Sequence, residues 1–128
     1  MGPLVIHLHS EGFERAYQAL TLALTARAMG QEVTLVLAFG ALRALAEDRL
    51  GDPLPGPDRW SAQRGENLAT PTVQSLLQDA RALGVQLWAC ETVALLTGTD
   101  PEQLQGKVET VGLPQIIKRQ QAGQVLYI

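Results

Sequence analysis

A chain of 128 residues with 46% hydrophobic and 5% aromatic content fits one α/β-sized domain, large enough to bury a core without metal or disulfide staples. A net charge of −3 with no run of Lys or Arg excludes nucleic acid and anionic membrane as the main partner, leaving small molecules and proteins. No apolar stretch approaches membrane-spanning length and the start of the chain lacks a signal-peptide pattern, so the expected location is the cytoplasm.

The run Leu4-Val5-Ile6-His7-Leu8-His9 is apolar and β-branched, and it predicts a buried strand ending at the turn Ser10-Glu11-Gly12. Residues 13–29 follow as an amphipathic helix. Glu14, Gln18, Thr21 and Thr25 fall on one face, Tyr17, Leu20, Ala23 and Leu24 on the other, and Gly30 stands where a helix-ending glycine belongs. Residues 32–39 carry Val33, Leu35, Val36 and Leu37 in near-continuous apolar register, as in a strand covered on both faces. A short helix over 41–48 leads into Gly51-Asp52-Pro53-Leu54-Pro55-Gly56-Pro57, whose proline density predicts an irregular loop that extends to about residue 69. In that loop Trp60, flanked by Arg59 and Arg64, reads as the anchor of a solvated segment, or else as part of a lid or docking surface near the thiol.

Thr70-Pro71 then supplies an N-cap and a first-turn proline for a helix that ends at Gly84. Residues 85–89 form the third strand and 90–97 a helix closed by Gly98, after which Asp100-Pro101-Glu102-Gln103 caps a further helical turn. A fourth strand over 108–111, a helix over 113–122 and a fifth strand over 124–128 complete the chain. Strands alternating with helices predict a three-layer α/β/α sandwich with a mostly parallel five-stranded sheet.

Ligand sites in open α/β sheets lie beyond the strands' carboxyl ends. The residues expected there are His9, Gly40, Cys90, Glu91 and Gly112, each following a strand. Cys90 is the single cysteine and the strongest nucleophile of the set, so it is the candidate catalytic residue. His9, Gly40, Glu91 and Gly112 are candidate binding residues around it. His7 and His9 face one side of the sheet; His7 reads as a hydrogen-bonded core histidine. Two histidines with no well-placed third ligand predict no metal, and the absence of GxGxxG and GxxxxGK[ST] predicts no nucleotide cofactor. Cys90-Glu91-Thr92-Val93 is not CxxC, which removes a dithiol mechanism. Trp88 reads as core.

The stretch Gly84-Val85-Gln86-Leu87-Trp88-Ala89-Cys90 resembles the G-V-x-L-x-x-C strand of the DsrE/DsrF-like sulfur-relay family. The segment from Arg15 through Gly30-Gln31-Glu32-Val33 and the motif Val111-Gly112-Leu113-Pro114 are similar to further pieces of that family, so the resemblance spans nearly the whole chain as one domain. The resemblance implies a homo-oligomer, a trimer or hexamer, in which Cys90 takes sulfane sulfur from a donor protein and passes it to an acceptor protein. A second reading is a non-catalytic oligomeric ligand-binding or regulatory module of the same fold. A third, a small-molecule enzyme, would use His9 and Glu11.

Overall fold

The computed structural model describes residues 2–128. β1 (Leu4–Leu8) and β2 (Val33–Leu37) are buried at every position, because parallel strands in mid-sheet are covered on both faces. β3 (Gln86–Cys90), β4 (Glu109–Val111) and β5 (Gln124–Tyr127) complete a five-stranded sheet in the order β4-β3-β2-β1-β5, all four pairings parallel. Among the described residues no helix is long and apolar enough to cross a membrane.

The topology explains where the helices lie. From β1 through β4 the chain advances across the sheet in one direction, and right-handed crossovers in one direction place their helices on one face. Helices α1 (Phe13–Ala28) and α4 (Val73–Ala82) cover that face. They pack Ala19, Leu20, Ala23, Leu77 and Ala80 onto Ile6, Leu8, Leu35 and Leu37. The last crossover returns across the whole sheet to set β5 beside β1, so its helix α7 (Leu113–Gln121) lies on the opposite face. The core there is smaller: Val5, Val36, Trp88, Cys90 and Val111 under Ile116. Each large side chain buried in these layers contributes roughly 1.5–3 kcal/mol, so most of the stabilising area belongs to the α1 and α4 side.

Two sequence expectations are corrected. Residues 57–68 are not irregular: Pro57 starts helix α3 (Pro57–Leu68), preceded by Gly56 at φ 92°. Its Asp58 is buried and acts at a distance, as the missing cap of α1. The N-cap of α1, Gly12, offers no side chain, and instead Asp58 Oδ2 accepts from Phe13 N at 2.7 Å and Oδ1 from Glu14 N at 2.6 Å. Oδ2 also accepts from Leu54 N at 2.7 Å, closing the loop that enters α3. The second correction concerns α4, whose N-cap is Thr72, accepting from Ser75 N at 3.1 Å, rather than Thr70. The Thr70 hydroxyl donates to Gly65 O and so belongs to the end of α3. The remaining helices are short: α2 (Gly40–Ala46), α5 (Glu91–Thr97) and α6 (Pro101–Leu104), the last with the expected Asp100/Gln103 capping box.

Gly123 is required where β5 enters the sheet. A Cβ there would lie 1.9 Å from Pro3 O, the acceptor that pairs Gln124 N at 2.9 Å and begins the β1–β5 ladder. Gly123→Ala is expected to lower unfolding stability by about 1–3 kcal/mol, the usual range for forced overpacking, and thermal unfolding would show it. An unchanged midpoint would mean that β5 shifts at no cost.

Candidate active site at the carboxyl edge

Register places the candidate residues in rows. His7 pairs with Val36 and Tyr127, and Val36 with Trp88. One rung further toward the carboxyl edge, on the α7 face, the same register sets His9 at the end of β1, Ala38 after β2 and Cys90 at the end of β3. With strands spaced by about 4.8 Å, the backbones bearing His9 and Cys90 lie about 10 Å apart with Ala38 between them. Because Ala38 projects only a methyl group, the space above it is not filled. The result is a cavity of about 240 Å³. Its floor is Val36 and Ala38, its sides are His7, His9, Cys90 and Tyr127, and its roof is Leu113, Ile116, Ile117 and Gln120 of α7.

Cys90 is the last residue of β3 and the N-cap of α5, 5% exposed, and its side chain makes no hydrogen bond among the described residues. Its side chain lines this cavity. Since α5 has only seven residues, its dipole gives the thiol little help. His9 is exposed, and its ring meets those of His7, Phe39 and Tyr127 edge-on at 6.2–6.3 Å. His7 is held on two sides: Tyr127 stacks on it at 4.4 Å, and its Nε2 lies 2.6 Å from Gln120 Oε1. With that carbonyl oxygen as acceptor, Nε2 carries the proton.

Burial lowers the pKa of His7 below the ordinary histidine value; the Gln120 bond offsets part of this, and the charge of His9 adds to the lowering. A depressed folded-state pKa means that the unfolded chain binds more protons in the window below about pH 6.5. Stability is therefore whole above that pH and falls as acid is added. His7→Phe, which keeps a ring under Tyr127, is expected to flatten the melting temperature between pH 7 and 5. An identical slope in the variant would assign the effect to another group.

Phe39 has a backbone that a side chain rarely adopts, φ 48° and ψ −116°, a strain of roughly 1–3 kcal/mol. The strain holds a half-exposed ring at the cavity mouth beside His9.

The other expected residues lie around this centre without lining it. Gly40 opens α2, where a Cβ would press at 3.3 Å on His9 O and Glu11 N, so it lets the β1 exit loop approach closely. Glu91 is the exposed first residue of α5, and Gly112 is the N-cap of α7 with an ordinary φ of −80°. Glu11 is engaged by Arg49, which also binds Glu47 at 2.6 Å, and it does not line the cavity. Trp88 is core, with the Arg119 guanidinium 4.8 Å above its ring. Trp60 is neither anchor nor lid: it is 68% exposed on α3, beneath Arg64, and no residue of the 51–69 segment lines the Cys90 cavity. No group of three or more His, Cys, Asp and Glu able to hold a metal occurs among the described residues. Gln120, Tyr127 and Ile117 carried no local signal, because they reach the site only through the β1–β5 pairing and the α7 crossover.

A model of the DsrE/DsrF-like family matches residues 4–127. No curated protein sequence matches the chain. Among solved structures it is similar to the YchN protein of E. coli, with 22% identity, 100% of each chain covered and a TM-score of 0.69. A conserved protein of Bacteroides thetaiotaomicron aligns at 14% identity over 97% of this chain and 94% of its own, with a TM-score of 0.58. These likenesses bear on the fold.

Proposed function

The chain belongs to the DsrE/DsrF-like family, and from that membership we propose that it is a sulfur-relay protein in which Cys90 carries sulfane sulfur as a persulfide. The observation that carries the reading is the single cysteine opening into a largely apolar cavity across from two imidazoles at the carboxyl edge. Sulfane sulfur is polarisable and weakly solvated, so such a cavity suits it better than it suits a sugar. In the loading step the Cys90 thiolate attacks the outer sulfur of a donor persulfide. A Cys90 S–S bond forms, the donor's S–S bond breaks, and the donor departs as a thiolate with the electron pair, leaving the proton on the new persulfide. With no second cysteine, the sulfur leaves to an external thiol rather than by an internal disulfide.

In this reading the whole chain acts as one cytoplasmic domain, assembled as a homo-oligomer, between a donor and an acceptor protein. The test is the intact mass after incubation with a rhodanese loaded with sulfane sulfur. A gain of one sulfur that cyanide removes supports the carrier; no gain from the rhodanese or from a small-molecule sulfane-sulfur donor removes it.

The burial of Cys90 favours a second reading, a non-catalytic oligomeric module that binds a ligand in the same cavity. Native alkylation separates the two. Rapid modification of Cys90 supports the carrier, and protection until unfolding supports the module.

A further inference from the structure

The cavity's dimensions bear on what loads it. It opens past Phe39, Leu113, Ile117 and Tyr127, which are 43%, 55%, 46% and 68% exposed, whereas Cys90 within is 5% exposed. A persulfide fixed to a folded protein must be brought past that rim to reach Cys90; a short free chain of sulfur atoms can diffuse through it. At about 30 Å³ per water-sized group, 240 Å³ admits about eight such groups. That is below the usual range for drug-sized ligands, so a donor protein can offer only its persulfide end at the rim, whereas a short sulfur chain enters whole. Apart from Cys90, the lining's polar side chains are His7, His9, Gln120 and the Tyr127 hydroxyl, with no carboxylate and no ammonium or guanidinium group.

We infer that the cavity is a binding site for low-molecular-weight inorganic polysulfide, which loads Cys90 directly, and that Ala38 sets its capacity. The inference rests on the carrier reading and names its small-molecule substrate. The hydropolysulfide chain lies over Ala38 with its charged end toward the exposed His9. The Cys90 thiolate attacks the terminal, hydrogen-bearing sulfur. A Cys90–S–S–H group forms, the next S–S bond breaks, and the remaining chain leaves one sulfur shorter, taking the electron pair and then a proton from water. Nothing else is oxidised or reduced.

Ala38→Leu puts a branched side chain into the floor while leaving Cys90 and both histidines in the sequence. With sodium tetrasulfide as the probe, the native chain is expected to gain one sulfur by intact mass and Ala38→Leu to gain it at least tenfold more slowly, with circular dichroism unchanged. Where Ala38→Leu does not fold, Phe39→Gly serves: it suits the positive φ, clears the mouth and is expected to speed uptake. Equal rates for the native chain and Ala38→Leu, or no acceleration in Phe39→Gly, overturn the inference. Loading by the rhodanese but not by tetrasulfide overturns it while leaving the carrier intact. Loading by neither donor ends both.

Discussion

Cys90→Ser is expected to abolish sulfur uptake completely, from protein and small-molecule donors alike, while the protein stays folded. The loss is all-or-none because the chain has one cysteine, and its two methionines are thioethers that cannot form a persulfide. A serine hydroxyl is too weak a nucleophile toward sulfane sulfur to replace a thiolate. The fold should tolerate the change, since serine has nearly the same shape. Cys90 sits in the smaller core with Val36, Trp88 and Val111 and makes no side-chain hydrogen bond, so an unpartnered hydroxyl there costs about 1–3 kcal/mol. That is a fraction of the 5–15 kcal/mol typical of a domain. Cys90→Ala avoids the polar cost and should melt closer to the native chain. The check is intact mass after donor treatment beside a melting curve. Sulfur retained by Cys90→Ser would move the chemistry off this cavity.

The parts of this site visible in the sequence are those encoded locally. The β-branched run of β1 fixes a two-residue alternation, so His7 and His9 share a face before any tertiary structure is considered. Cys90 at a strand end followed by helix is likewise a local statement. The cavity itself is not local. It exists because Ala38 is small where its neighbours in the row are His9 and Cys90, and because α7 returns over the opposite face to roof it; both depend on register between distant strands. α3 was hidden for a related reason. Residues 57–68 lack an apolar stripe, and three prolines precede or begin them, so periodicity gives no helix signal. What ties that helix down is Asp58 on the end of α1, more than forty residues away, together with Ser61 donating to Glu14 at 2.5 Å. Likewise Thr70 followed by Pro71 reads as the cap of α4, and only the Ser75 amide on Thr72 puts the helix start two residues later.

Asp58→Ala should therefore be among the most destabilising single changes outside the core, although the residue is far from the cavity in sequence and function. One carboxylate satisfies three backbone N–H groups, two of them at the first turn of α1, where no other side chain caps the helix. Losing an ordinary cap costs about 0.5–2 kcal/mol. Here the loop at Leu54 is released as well, so a loss of about 2 kcal/mol or more is expected, with faster amide exchange at Phe13, Glu14 and Leu54. Asp58→Asn keeps one acceptor oxygen and should fall between. Acid adds an independent signature. Burial alone would raise the carboxyl's pKa, but the three N–H donors outweigh it, and the value lies below the ordinary range. A depressed folded-state value means that this stabilisation is complete above about pH 3.9 and disappears as the pH falls through the lower folded value. The native chain should therefore lose its advantage over Asp58→Asn in strong acid, on a limb separate from the one His7 produces nearer neutrality. A native-like melting temperature for Asp58→Ala at pH 7 would show that α1 needs no cap from α3, and the long segment before α4 would lose its structural role.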